Sequence, residues 1–215
     1  MRQIRKTHPP KALLDWFAVN RELNCSYGAL LGHPAHIELK QYLIREQGFL
    51  CAYTGREILG ESSHVEHLKP QSLCTGHEDV DYRNIVACFP GNGGDTSHGY
   101  GAPVKGDWWE EDLFVSPLAE DCERRFVFSW SGKISPNPKD HHGAQETIKV
   151  LKLDHENLVH LRRKAIHGFF GFDNTKPLSK RDARRLLATM DRPNAEGKLT
   201  PFCFVLKPLL AKHSA

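Results

Sequence analysis

The sequence lacks any apolar run long enough to cross a bilayer, which excludes a helical membrane protein. Its basic start, Met1 to Pro10, is followed by no apolar signal core, so a cytoplasmic location is expected, with no membrane partner. Six cysteines occur (Cys25, Cys51, Cys74, Cys88, Cys122, Cys203), but no CxxC pair. This argues against a zinc ribbon and against a secreted disulfide framework, and all six are expected to be free, buried thiols. Internal repeats and low-complexity linkers are missing, so the 215 residues are expected to form one compact unit. A strong net charge is also missing. At +3, the balance does not by itself mark a nucleic-acid binder.

Histidine, by contrast, is abundant. There are thirteen, and His64, His67 and His77 crowd one segment. Basic residues come in local runs: Arg2, Arg5 and Lys6; Arg124 and Arg125; Arg162, Arg163 and Lys164; Lys180, Arg181, Arg184 and Arg185. Such runs can hold a phosphate polymer by releasing counterions, although each one alone reads more simply as a solvated helix face.

Apolar spacing predicts a helix from Pro10 to about Leu23 and a second from Ala35 to Gln47, with Ala35, Leu39, Tyr42 and Leu43 on one face. Phe49 to Ile58 contains Thr54-Gly55, a tight turn between short extended pieces. Strands are expected at Ser63–Leu68 and Asn84–Phe89. They are separated by a polar loop, Gln71–Arg83, and followed by an irregular glycine-rich loop, Pro90–Pro103. Beyond this, Leu113–Leu118, Phe126–Trp130 and the turn Ser131 to Ile134 suggest about three short strands. Helices are expected from Ala144 to Leu151, from a cap at Asp154 with Leu158, Leu161 and Ala165 on one face, and after a capping box of Ser179 and Asp182. The architecture implied is α+β.

The informative segments are His64 to Pro70 and Asp81 to Cys88. Phosphodiester hydrolysis needs a base to deprotonate water, and a neutral histidine suits this near pH 7. It also benefits from a divalent ion that offsets the charge building on the phosphoryl oxygens. Glu66 followed directly by His67 at a strand end can supply ion and base beside one phosphate; the plain alternative is a surface ion pair. Asn84, at the start of the returning strand, can pin the loop carrying the histidine, or can be a simple turn residue. His64 is either a second catalytic contact, to phosphate, or a structural bond to a neighbouring loop.

The ordered set "REQGFLCAYTGREI", "HVEHLKPQS", "DYRNIVACFPG", "KGDWW", "VSPLAEDCERRFVFSWSGKISP" and "TIKVLKLDHENLVHLRRKAI" resembles the HNH endonucleases of the PtuB-like family, from Septu and retron anti-phage defence systems. The similarity covers roughly residues 1–170. It implies a ββα-metal (HNH, His-Me finger) core over residues 49–112, an N-terminal helical support over 1–48 and a C-terminal α+β extension over 113–215. It further implies a metal-dependent nuclease acting on nucleic acid, DNA before RNA. One divalent ion is expected, magnesium or manganese, with zinc also compatible. The implied partners are an ATPase of the PtuA type and, in a retron setting, a reverse transcriptase with its RNA/DNA product.

Carried across by position, the resemblance makes His67 the general base, Glu66 a metal ligand and Asn84 the pinning asparagine. A second metal ligand is expected after the returning strand. Asn92 fits by spacing and His98 by chemistry, with His98 favoured because Asn92 stands between glycines. Lys69 and Lys105 are the expected phosphate-binding lysines. Thr54 stands where a four-cysteine zinc site would need a thiolate, and Cys88 has no partner three residues on, so that site is unavailable. His67 is expected to stand clear of the core. Phe169, Phe170 and Phe172 are read as a docking surface for the partner, or alternatively as core; His141 and His142 as exposed loop. A free-standing restriction-type HNH nuclease, or a degenerate fold that only binds nucleic acid or protein, are the rival readings.

Overall fold

The computed structural model describes residues 1–23, 25–171 and 178–215. It is an α+β chain of helices around two small antiparallel sheets. Helix α1 (Lys11–Asn20) buries Leu13 and Trp16, and α3 (Pro34–Glu46) buries Ala35, Leu39, Leu43 and Ile44. Between them lies a short helix, α2 (Tyr27–Leu30), that apolar spacing did not suggest. Proline at the first position of α3 and the His33 ring, whose Nδ1 accepts from Ala35 N at 3.1 Å, start that helix.

Strands β1 (His64–His67) and β2 (Ile85–Cys88) pair antiparallel, with His64 opposite Cys88 and His67 opposite Ile85. Strand β2 is buried throughout. In β1 the residues alternate: Val65 and His67 turn inward, while His64 and Glu66 share the more open face. The buried side chain of Gln47, just past α3, clamps the middle of β2. Its Oε1 accepts from Ala87 N at 2.7 Å and its Nε2 donates to Ala87 O at 2.8 Å. The turn at Gly55 needs glycine twice over: φ is +72°, and a Cβ there would meet the Phe204 ring at 2.2 Å.

Downstream, α4 (Ala102–Lys105) leads to a hairpin of β3 (Phe126–Phe128) and β4 (Ile134–Pro136). The strand expected at Leu113–Leu118 is irregular chain. Its backbone is satisfied locally and by α5 (His142–Val150), whose Thr147 Oγ1 accepts from Val115 N at 2.8 Å. Helix α6 (Glu156–Phe170) is capped by His155, not by Asp154, and α5 by His141. Part of the histidine excess thus serves helix starts, and His141 is a cap rather than a free loop residue. Ser179 Oγ accepts from Asp182 N at 3.1 Å and starts α7 (Lys180–Thr189), as the capping box implied. Helix α8 (Cys203–Ser214) packs on α7 and on β3 and is apolar nearly all round.

Buried apolar residues form one cluster from Met1 to Leu210 among the described residues. Phe170 lies within it and Phe169 packs against it, which corrects their reading as docking surface; Phe172 lies outside the described residues. The basic runs are also partly internal. Lys6 Nζ donates to Ile85 O at 2.7 Å, and buried Arg162 donates to Gly132 O and Leu153 O, each at 2.7 Å. No helix among the described residues is long and apolar enough to cross a membrane.

Candidate metal and base site

Asn84 ends a single 3-10 turn, Tyr82–Asn84, immediately before β2. Its Oδ1 accepts from Lys69 N at 2.8 Å, and its Nδ2 donates to Lys69 O at 3.1 Å and Glu78 O at 3.0 Å. One amide therefore holds the chain just after β1, the middle of the loop and the entry to β2. Glu78 closes the loop further, accepting from Thr75 N at 2.8 Å and pairing with Lys69 Nζ at 2.6 Å.

That loop supplies the partner of His67. His67 Nε2 lies 2.8 Å from Asp79 O. A peptide oxygen only accepts, so Nε2 carries the proton and Nδ1 keeps the lone pair of a neutral ring. Burial lowers the pKa of this imidazole, which favours the neutral form. The side chain is not clear of the core as expected. His67 is 5% exposed, with the Tyr27 ring edge-on at 4.5 Å. Tyr27 is itself held, its N–H donating to Asp79 Oδ2 at 2.7 Å and its hydroxyl 2.8 Å from His36 Nε2. Helix α2 is what covers the histidine.

Glu66 faces the other way. Its Oε1 lies 3.3 Å from Lys105 Nζ and 3.4 Å from the Tyr53 hydroxyl; its Oε2 lies 3.5 Å from His64 Nε2. Lys105, brought in by α4, also donates to His67 O at 3.0 Å, and its side chain is 1% exposed. It is an internal counter-charge to Glu66, not the solvent-facing phosphate ligand that was expected. His64 Nδ1 lies 2.5 Å from Pro90 O and so donates to it. Its Nε2 is buried without a hydrogen-bond partner. Burial pulls the His64 pKa down, but Glu66 and the Pro90 carbonyl outweigh it and hold the pKa above the ordinary value.

This arrangement fits a small divalent ion. A separation of 3.5 Å is long for a strong hydrogen bond. Two donors bonded to one ion at about 2.0–2.2 Å each stand roughly 3–3.5 Å apart. The Pro90 carbonyl fixes the tautomer of His64 as a ligand requires, with Nε2 free to coordinate. Both side chains are partly open to solvent. No third His, Cys, Asp or Glu joins them among the described residues. Water, a backbone oxygen or a substrate phosphate would fill the remaining positions.

The two residues expected to complete the metal set are placed otherwise. Asn92 is exposed, and its Oδ1 accepts from Gly94 N at 3.0 Å, an Asx turn. The His98 ring lies 4.6 Å from that of Phe89, with Nε2 3.9 Å from Asp95. Neither makes a hydrogen bond or ion pair with Glu66 or His64. Besides Pro90, Gly93 of that loop approaches the site: a Cβ there would stand 2.9 Å from the His64 ring. Cys51 and Cys88 lie side by side, and Phe89 N donates to Cys51 Sγ at 3.4 Å. All six cysteines are free, Cys74 being only half-buried. Sequence reasoning missed Tyr27, Tyr53 and Asp79, which carry no motif signal. It also missed the pairing of His64 with Glu66, which share one face of β1 by strand alternation.

Compared with known proteins, the chain matches no family model and no curated sequence.

Proposed function

We propose that this chain is a metal-dependent phosphodiester hydrolase of the HNH type, acting on nucleic acid, with β1, β2 and α4 as its ββα-metal core. The single observation that carries the reading is the convergence of His64 Nε2, buried and unpartnered, on Glu66 Oε2, one residue from a neutral, carbonyl-oriented His67. Glu66 and His64 would hold the ion, which would supply Lewis-acid stabilisation of charge on the phosphate. A nitrogen ligand beside a carboxylate suits manganese or zinc better than magnesium. His67 accepts the proton of the attacking water at Nδ1, and the bond from Nε2–H to Asp79 O stabilises the charge that the ring acquires. Lys105 holds the Glu66 carboxylate in place. Asn84 fixes the loop that carries the Asp79 carbonyl.

Within this reading the resemblance to PtuB-like nucleases suggests a role in anti-phage defence beside a PtuA-type ATPase and, in a retron setting, a reverse transcriptase. A second reading, a nucleic-acid or protein-binding module without turnover, draws on the cover that Tyr27 places over His67. The test is manganese and zinc titration by calorimetry, together with cleavage of plasmid and single-stranded DNA, for wild type, Glu66→Gln and His64→Ala. Metal binding lost in both variants, with cleavage lost in parallel, supports the hydrolase. Wild type that binds metal in neither titration and cuts neither substrate refutes it.

A further inference from the structure

Arg56 follows the turn at Gly55, next to the loop that holds His64. Its guanidinium lies 3.8 Å from the centre of the Phe89 ring, and its Nη1 donates to the Tyr100 hydroxyl at 2.5 Å. The other side-chain donors of this part-buried group have no protein acceptor, and no carboxylate pairs with it among the described residues. Other arginines are occupied differently: Arg162 by two carbonyls, Arg125 by Asp121, Arg185 by Asp182. A stacked, hydrogen-bonded guanidinium with open donors is preorganised for an oxyanion, because its fork is already oriented.

The surroundings match. The Phe89 ring also contacts His98, and Tyr100 contacts His155, whose Nε2 lies close to Gly99. A Cβ at Gly99 would stand 2.7 Å from that nitrogen, so the loop closes tightly on the ring. Arg56, His98 and His155 thus collect around two aromatic rings. Phe89 leads directly into Pro90, whose carbonyl orients His64. Arg56 and the Glu66–His64 pair thus meet the same loop at adjacent residues, Phe89 and Pro90.

We propose that Arg56 is a substrate-binding residue that grips a backbone phosphate of the nucleic acid, adjacent to the phosphate at the Glu66–His64 pair. The inference rests on the hydrolase reading for its substrate class. Its own evidence is the stacked and unpaired guanidinium. Phe89 orients the group and Tyr100 fixes its rotation, so a planar fork is required and a point charge serves less well.

The experiment measures binding of a labelled DNA duplex and of a labelled single strand to the full chain, with chelator present, across a series of salt concentrations. For Arg56→Gln the affinity is expected to fall about tenfold, and the slope of log affinity against log salt to shrink by about one phosphate contact. Arg56→Lys is expected to keep the slope and lose affinity severalfold, since the charge stays and the fork goes. This second variant also decides the matter if Arg56→Gln does not fold. Wild-type affinity and slope in folded Arg56→Gln, or wild-type affinity in Arg56→Lys, would overturn the proposal. Glu66→Gln separates the two readings: it is expected to bind as wild type without cutting. If wild type proves unable to cut yet binds through Arg56, the hydrolase reading fails and this one stands.

Discussion

Asn84 and Lys69 exchange two hydrogen bonds: the Lys69 N–H donates to the Asn84 side-chain oxygen at 2.8 Å, and the Asn84 amide donates to the Lys69 carbonyl at 3.1 Å. A third bond runs to Glu78 O, so both ends of the amide are committed. Asn84→Ala is expected to cost about 1–3 kcal/mol, because it strands a partly buried N–H and two partly buried carbonyls. Asn84→Asp is expected to cost at least as much, since it turns an acceptor towards two carbonyls. Urea unfolding checks both; an aspartate variant as stable as wild type would mean that the amide is not the pin.

Lys105 gives a second test, because its burial beside Glu66 separates two roles. Lys105→Met leaves a partly exposed carboxylate without its cation, at a cost of roughly 1–3 kcal/mol after discounting for solvent. A dication can replace the lost charge. Manganese is therefore expected to raise the melting temperature of this variant more than that of wild type. A lysine that gripped substrate phosphate would instead leave stability unchanged and raise KM.

Lys6 sets a pH dependence. Its ammonium lies 4.1 Å from the centre of the Tyr82 ring and 3.5 Å from Glu46. Burial lowers its pKa from 10.5 to about 8, against the opposing pull of Glu46. Between these two values the unfolded chain holds a proton that the native chain has released, so this group makes stability rise with pH there. The full amplitude is roughly 3 kcal/mol. Subtracting the unfolding free energy of Lys6→Met from that of wild type isolates the effect. The difference is expected to climb from pH 8 to about pH 10.5, and a flat difference would contradict it.

Metal removal is expected to stop cleavage and leave the fold standing. Among the described residues, Cys51 and Cys88 are the thiols that meet near the turn, no group of three or more metal-ligating side chains occurs, and the core runs from Met1 to Leu210. Thermal unfolding with and without a strong chelator checks this. A large fall in melting temperature, with stoichiometric zinc released, would show a structural metal.

The local motifs were legible because their chemistry is local. β1 and β2, the turn at Gly55, the cap at Ser179 and the amide of Asn84 follow from residues close in sequence. Other features depend on distant partners. α8 has an apolar run from Cys203 to Leu210, interrupted only by Lys207 and Pro208, and shows no face that a period could reveal. Leu113–Leu118 has the composition of a strand, but Thr147 satisfies its backbone. His67 was expected in the open because nothing in its own segment announces Tyr27, forty residues earlier. Lys105 was expected to face phosphate from the family resemblance alone, and nothing in its own segment says which way α4 turns it.

The central claim is that His67 takes the proton from water, and the most direct test is the metal-saturated cleavage rate of His67→Gln. The glutamine amide reaches the position of Nε2 and can still donate to Asp79 O, so the fold, checked by circular dichroism, is expected to survive. The account predicts a loss of about a hundredfold to ten-thousandfold in rate, with metal affinity unchanged. Cleavage by the folded variant at the wild-type rate would contradict it.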